Sequence, residues 1–208
     1  MTITTRDQLI DALANNSSRL VIDKASLANA AAGQFFSLWT AGGTPGAGAA
    51  PGAAAVPTKA TTGAFDFDNQ TSPVASYLAW MTANFGNANS NLEIHDRLAH
   101  MSGLSGTVTT AQGALSLVTS DPGADRLGDA NYSDVRWWLE VYTALGATGV
   151  NATVNVTYDD ASSGNLAAIA LGATPRQGRL YPLVSAVAGR FIRSVNSVTL
   201  SATTGTAG

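Results

Sequence analysis

Hydrophobic and polar positions alternate most regularly between Asp134 and Asp160, where DVRWWLEVYTALG is followed by NATVNVTYDD. Successive side chains of a strand point to opposite faces, so a period of two predicts β-structure. In the first segment Val135, Trp137, Leu139 and Val141 fall on one face, and Arg136, Trp138, Glu140 and Tyr142 on the other. Two large aromatics among charges do not suit a wet sheet face. Trp138 and Tyr142 therefore either pack against a neighbouring loop or cross-strand residue, or sit in a subunit interface. In the second segment Ala152, Val154, Val156 and Tyr158 share one face, while Thr153, Asn155, Thr157 and Asp159 share a wet one. The short Gly-rich link Gly146 to Val150 predicts that the two strands form a hairpin.

The remaining elements are shorter. Thr5 followed by Gln8 has capping-box spacing and opens a helix whose apolar face is Leu9, Ile10 and Leu13. The polar run 15–18 ends it, and Arg19 to Asp23 reads as a strand. Phe35, Phe36, Leu38 and Trp39 anchor the Gly/Pro/Ala-rich stretch Ala41 to Pro57, which includes Pro45 and Pro51. Its composition forbids regular helix or central strand. It reads either as an extended arm lying along a partner or as a surface loop. Ser76 to Phe85 reads as a turn or two of helix, with Tyr77, Trp80 and Met81 on one side. Asn91 to His100 and Gly106 to Thr119 read as strands, and 120–133 as a loop. Leu166 to Leu171, Leu180 to Val184 and Ser194 to Ala202 supply three more strands. This succession predicts a mainly β chain, an antiparallel β-sandwich or jelly roll with a short N-terminal helix and a Gly/Pro/Ala-rich arm. The expected division is 1–60 for helix, short strand and arm, and 61–208 for the sandwich.

Composition narrows the setting. Charged residues make up 12% of the 208, about half the usual ~25%, which points to surface covered by neighbouring subunits. There is no cysteine, so disulfides and thiolate metal sites are excluded. No early segment reads as a signal peptide and none is long enough to span a bilayer, so no membrane association is expected. The sequons at Asn69, Asn131, Asn151 and Asn155 reflect an Asn/Thr-rich β composition. Charge is uneven: from Ala161 onward there is no acidic residue, whereas Arg176, Arg179, Arg190 and Arg193 lie there. The net charge is −3, so the region before Ala161 is acidic. Four dispersed arginines without Lys make a poor phosphate footprint, and no direct nucleic-acid role is expected. Contact between acidic and basic surfaces of subunits fits the asymmetry, as does pairing within the fold.

Candidate chemistry is sparse. His95 and His100 are the two histidines, and five apart on a strand they face opposite sides, so they do not chelate one metal together. No nucleophile elbow accompanies the serines. Asp66 with Asp68 and Asp159 with Asp160 are the close acidic pairs, and Asp66-Phe-Asp68-Asn69 lacks the Gly and distal Glu of a calcium loop. No phosphate loop or dinucleotide fingerprint occurs. No enzyme activity, metal or cofactor is expected.

Four segments together, FFSLWTAGGTPGAGAAPGAA (Phe35 to Ala54), IHDRLAHMSGLSGTVTTAQ (Ile94 to Gln112), WWLEVYTALGATGVNATVNVTY and RSVNSVTLSATTGTAG (Arg193 to Gly208), resemble the small virion structural proteins of tailed bacteriophages. The likeness spans most of the chain in the same order, and none of its motifs is catalytic. It implies a protein on the capsid exterior, made in the host cytoplasm, that decorates or cements the shell. The implied partners are the major capsid protein and further copies of itself, most often as a trimer. A tail or head-fibre component is the second expectation, and a carbohydrate-binding or hydrolytic β-sandwich the third. Proteins of this type often continue with another strand beyond one like Ser194 to Ala202, so an edge that is open or completed by a neighbour is expected. The residues expected at interfaces are Trp138, Tyr142, Arg136, Arg176, Arg179, Arg190, Arg193, Pro45 and Pro51.

Overall fold

The computed structural model describes residues 3–15, 20–25, 31–65, 81–84, 86 and 90–208. Helix α1 (Arg6–Asn15) is followed by the two-residue strands β1 (Asp23–Lys24), β2 (Phe35–Phe36), β3 (Gly43–Thr44) and β4 (Leu115–Ser116). Two helical turns come next, α2 (Leu117–Ser120) and α3 (Ala124–Leu127), and then β5 (Trp137–Glu140) and β6 (Val150–Tyr158). The remainder is β7 (Ser163–Asn165), β8 (Ile169–Gly172), β9 (Arg179–Leu183) and β10 (Ile192–Leu200). Every pairing is antiparallel. One sheet runs β4-β10-β6-β7 with β8 also on β6, and a second runs β2-β9-β5. The chain is mainly β and sandwich-like, as its alternation predicts.

The core lies between the inner faces of the two sheets. Ala152, Val154 and Val156 of β6 are completely buried and Tyr158 nearly so, against Tyr181 and Leu183 of β9 and Ile192, Val198 and Leu200 of β10. Each such apolar side chain contributes about 1.5–3 kcal/mol by leaving water. The opposite face of β6 is polar, and its side chains bond sideways across the sheet. Asn155 Nδ2 donates to Asn165 Oδ1 (2.7 Å), Asn196 Nδ2 to Asn155 Oδ1 (2.8 Å), and Thr157 Oγ1 to Asn196 Oδ1 (3.0 Å). Both faces of this strand follow its sequence pattern.

Its partner does not. β5 pairs with β9 in the register Trp137↔Leu183 to Glu140↔Leu180, and β6 pairs with β10. The expected hairpin is absent, and the link between β5 and β6 instead crosses from one sheet to the other. The backbone after β5 is drawn off locally: Val141 N–H donates to Arg179 O (2.9 Å) and Leu145 N–H to Pro175 O (3.0 Å). Gly146 lies against the backbone of Thr204, where a Cβ would overlap. Pro182 occupies central β9 without cost to either ladder: Val141 N–H bonding Arg179 O makes Trp138↔Pro182 a non-hydrogen-bonded pair, and Pro182 lies beyond the end of β2 on the other side.

Three other strand expectations need correction. The strand expected at Arg19 to Asp23 is instead Asp23–Lys24, paired with Gly43–Thr44, and Arg19 itself lies outside the described residues. Asn91 to His100 forms no ladder beyond a bridge between His100 and Ala55. Gly106 to Thr119 is strand only at Leu115–Ser116, with an isolated bridge at Gln112 and a helical turn from Leu117. Leu166 to Leu171 falls within one bulged strand that β7 and β8 make along the same side of β6, joined by Leu166 N–H donating to Val154 O (2.9 Å). β10 is central rather than an edge, flanked by β4 and β6.

Helix α1 carries the expected capping box: Gln8 N–H donates to Thr5 Oγ1 and Thr5 N–H to Gln8 Oε1, both at 3.2 Å. Its Leu9, Ile10 and Leu13 are exposed. Most of Ser76 to Phe85 lies outside the described residues, and 81–84 are not helical.

The Gly/Pro/Ala segment folds back on the chain. Thr44–Pro45 is a cis peptide, Lys24 Nζ donates to Ala41 O (3.0 Å) and Gly46 O (3.1 Å), and Ser102 Oγ donates to Pro51 O. Trp39 Nε1 donates to Ala49 O (3.0 Å), and its ring sits where a Cβ on Gly48 would be. Gly48→Ala is therefore expected to cost about 1–3 kcal/mol by displacing the indole. A denaturant midpoint unchanged by that substitution would show the packing to be looser than described.

Candidate interaction surface

The outer face of the β2-β9-β5 sheet carries Phe35, Leu180, Pro182, Trp138 and Glu140, as the registers dictate. Around Glu140 the chain covers its own sheet. Arg97 Nη1 donates to Glu140 Oε2 (2.7 Å) and Tyr142 Oη (3.3 Å), and Arg97 Nη2 to Ser37 Oγ (3.1 Å). The Arg97 guanidinium also lies over the Trp39 ring, 4.7 Å from its centroid. His100 Nδ1 is 3.2 Å from Tyr142 Oη, and Trp39 meets the His100 ring edge-on at 5.3 Å. The Tyr142 hydroxyl thus joins Arg97 to His100, accepting from the guanidinium and sharing one hydrogen bond with the imidazole.

This cluster is buried enough to move proton affinities. Burial, reinforced by the Arg97 charge and opposed by Glu140, holds the His100 pKa down to about 4. Burial and the Glu140 charge push the Tyr142 phenol up to about 12. Glu140 Oε1 is buried without a hydrogen-bond partner among the described residues. The cluster contains Glu, His, Tyr, Arg and Ser, and the hydrogen bonds that most of these groups make with one another fasten residues 35–39 and 97–100 to the end of β5. Among the described residues no three His, Asp or Glu side chains form a metal site. Asp66 and Asp68 lie outside the described residues.

Beyond Glu140 the covering stops and a groove of about 460 Å³ opens, bounded by Phe35 and Trp138, by Pro182 and Val184, and by Arg136 and Arg190. Phe35 is 48% exposed and Val184 71%, and the Phe35 and Trp138 rings are 5.3 Å apart. Trp137 faces inward and donates from Nε1 to Ile192 O (2.7 Å), tying the floor of the groove to β10. Arg136 is largely exposed and 3.3 Å from Glu93. Arg190 pairs with Asp160 at 2.8 Å, and the Asp160 carboxyl is held below its ordinary range by bonds from Ser162, with Arg190 adding to the effect.

Three of the residues singled out from sequence thus meet at one place: Trp138, Arg136 and Arg190. The others are scattered. Tyr142 belongs to the covered cluster. Arg179 is on the inner face, 5.6 Å from the Phe36 centroid and 4.9 Å from that of Tyr181, with Nη1 buried and unbonded. Arg193 is half-buried on β10, Arg176 is exposed in the turn before β9, and Pro45 and Pro51 are half-buried in the folded-back segment. Sequence reading missed Phe35, Val184 and Arg97. Phe35 and Val184 sit in apolar runs that resemble core, and nothing local pairs Arg97 with Glu140, 43 residues away.

No helix among the described residues is long and apolar enough to cross a membrane. No protein-family model, curated protein or solved structure matches the chain.

Proposed function

We propose that this chain is a structural virion protein of a tailed bacteriophage, one that decorates and stabilises the capsid by bridging its subunits. The observation that carries the reading is the open groove. Apolar and aromatic surface at Phe35, Trp138, Pro182 and Val184 is left in water beside Arg136, and apolar patches rimmed by charge mark protein contacts. The resemblance of four segments to small phage virion proteins supplies the kind of partner: the major capsid protein and further copies of the chain, with a trimer as the expected unit. Many modest contacts repeated over a shell add up by avidity, so no single patch has to bind tightly.

The test is reconstitution on particles that lack the protein, with its position read by electron microscopy. Many copies spread over the shell are the expected result. Copies confined to the tail or to fibres would favour a tail or head-fibre component. Binding of glycans that Trp138→Ala abolishes would favour a carbohydrate-binding sandwich. Val184→Asp places a charge on a side chain that is 71% exposed. It is expected to weaken particle binding at least about tenfold while leaving unfolding of the free chain nearly unchanged. Undiminished occupancy would remove the groove from the interface.

A further inference from the structure

Residues 91–98, NLEIHDRL, have the alternation of a strand but no ladder. Glu93 meets Arg136 at 3.3 Å and Arg97 meets Glu140 at 2.7 Å. Four residues of this segment thus keep step with four of β5, and the segment runs extended alongside it in the same direction. Only side chains join the two. Among the described residues, the one hydrogen bond to the backbone of 91–98 is from Arg126 Nη2 to Arg97 O (3.2 Å). Because Glu93 and Arg97 are turned toward β5, alternation sends Leu92 and Ile94 away from it. Those two are 38% and 49% exposed. Among the described residues the segment's backbone is therefore unpaired but for that one bond, and its apolar side chains face solvent, the combination that strand addition satisfies.

We propose that this segment is a pairing strand whose occupant is the same segment of a second copy, antiparallel about a two-fold axis through His95. The charges select both occupant and register. With His95 on the axis, Glu93 of each copy lies opposite Arg97 of the other, and Leu92 lies opposite Leu98. The contact is isologous, so each favourable pair occurs twice. Glu93 is bonded through Oε2 and Arg97 through Nη1 and Nη2, so that among the described residues Glu93 Oε1 and Arg97 Nε are the atoms left for this pairing. Ile94 falls opposite Asp96, whose carboxylate is already held by Arg126 at 2.7 and 2.8 Å. Moving the axis to the Ile94–His95 peptide would set Glu93 against Asp96, two like charges. Moving it to Ile94 would set Leu92 against Asp96 and lose the Glu93–Arg97 pair. The proposal stands apart from the virion reading, since it concerns what the isolated chain does in solution.

The chain has no cysteine, so single cysteines report the register directly. Residues opposite each other in an antiparallel pair have Cα atoms about 4.5–5.5 Å apart, within disulfide range. His95→Cys is therefore expected to give a disulfide-linked dimer at least about tenfold faster than Leu92→Cys or Glu93→Cys alone. A mixture of Leu92→Cys and Leu98→Cys chains should form the mixed disulfide preferentially. By analytical ultracentrifugation the unaltered chain should dimerise, and Leu92→Lys/Ile94→Lys, which alters exposed positions only, should be monomeric with unchanged circular dichroism. Cross-linking at equal rates from all three positions would overturn the register. An unaltered chain that is monomeric from micromolar to millimolar concentration, or that takes up a strand only from another protein, would overturn the proposal.

Discussion

Replacing Arg97 with methionine is expected to destabilise the fold by about 3 kcal/mol, the lower part of the range for removing one partner of a buried ion pair. The Glu140 side chain is 8% exposed and that of Arg97 24%. The carboxylate is the deeper partner, and it is the one left behind. Oε1 of Glu140 is already without a hydrogen bond among the described residues, so after the substitution neither oxygen is matched by a charge. Methionine retains much of the aliphatic stem but loses the donors to Glu140, Tyr142 and Ser37 and the contact over Trp39. The measurement is chemical denaturation, with the loss read as a lower midpoint at constant slope. The double variant Arg97→Met/Glu140→Met is expected to recover most of the loss, because a well-packed apolar pair needs no compensation for a buried charge. If the single variant lost less than about 1 kcal/mol, Glu140 would be reached by water and the outer face would be open along its whole length.

The difference between β5 and β6 shows how far the sequence pattern reaches. Every second residue of β6 from Ala152 to Tyr158 is buried, because a strand covered by a sheet on one face and wet on the other must alternate. The same logic correctly turned Trp137 and Leu139 of β5, and Val141 just after it, inward. Alternation, however, says which way a side chain points and nothing about which strand lies alongside. The partner of β5 is Arg179–Leu183, some 40 residues further on, and the local Gly-rich link imitates a hairpin turn while leading to the other sheet. Asn91 to His100 is the converse case, with strand periodicity and no ladder. Only part of the candidate surface could be read in advance. Trp138 among charges was a visible anomaly, whereas the groove also depends on where Arg97 and Trp39 stop covering the sheet, and that is set by contacts between residues far apart in sequence.

Stability is expected to fall by about 3 kcal/mol through His100 alone as the pH drops from 6.5 to about 4. Burial is the main cause, since the residue is 8% exposed, and the Arg97 charge adds to it. The unfolded chain binds a proton at this position near pH 6.5, but the folded chain only near pH 4. Between those values the unfolded state holds more protons, so its share grows as pH falls. The contribution is whole above pH 6.5, declines through the interval and is gone below about 4. Protonation also has a structural meaning, because it places a second positive charge beside Arg97 in a buried cluster. The strap of residues 35–39 and 97–100 is therefore the part of the fold expected to loosen first in acid, and it is what separates the covered half of the outer face from the groove. Denaturation measured from pH 7 to 4.5 on the unaltered chain and on His100→Gln isolates the effect. The glutamine variant starts less stable through loss of the Tyr142 and Trp39 contacts and should show a shallower decline. The two curves should converge as pH falls, and parallel curves would mean that His100 titrates alike in the folded and unfolded chain.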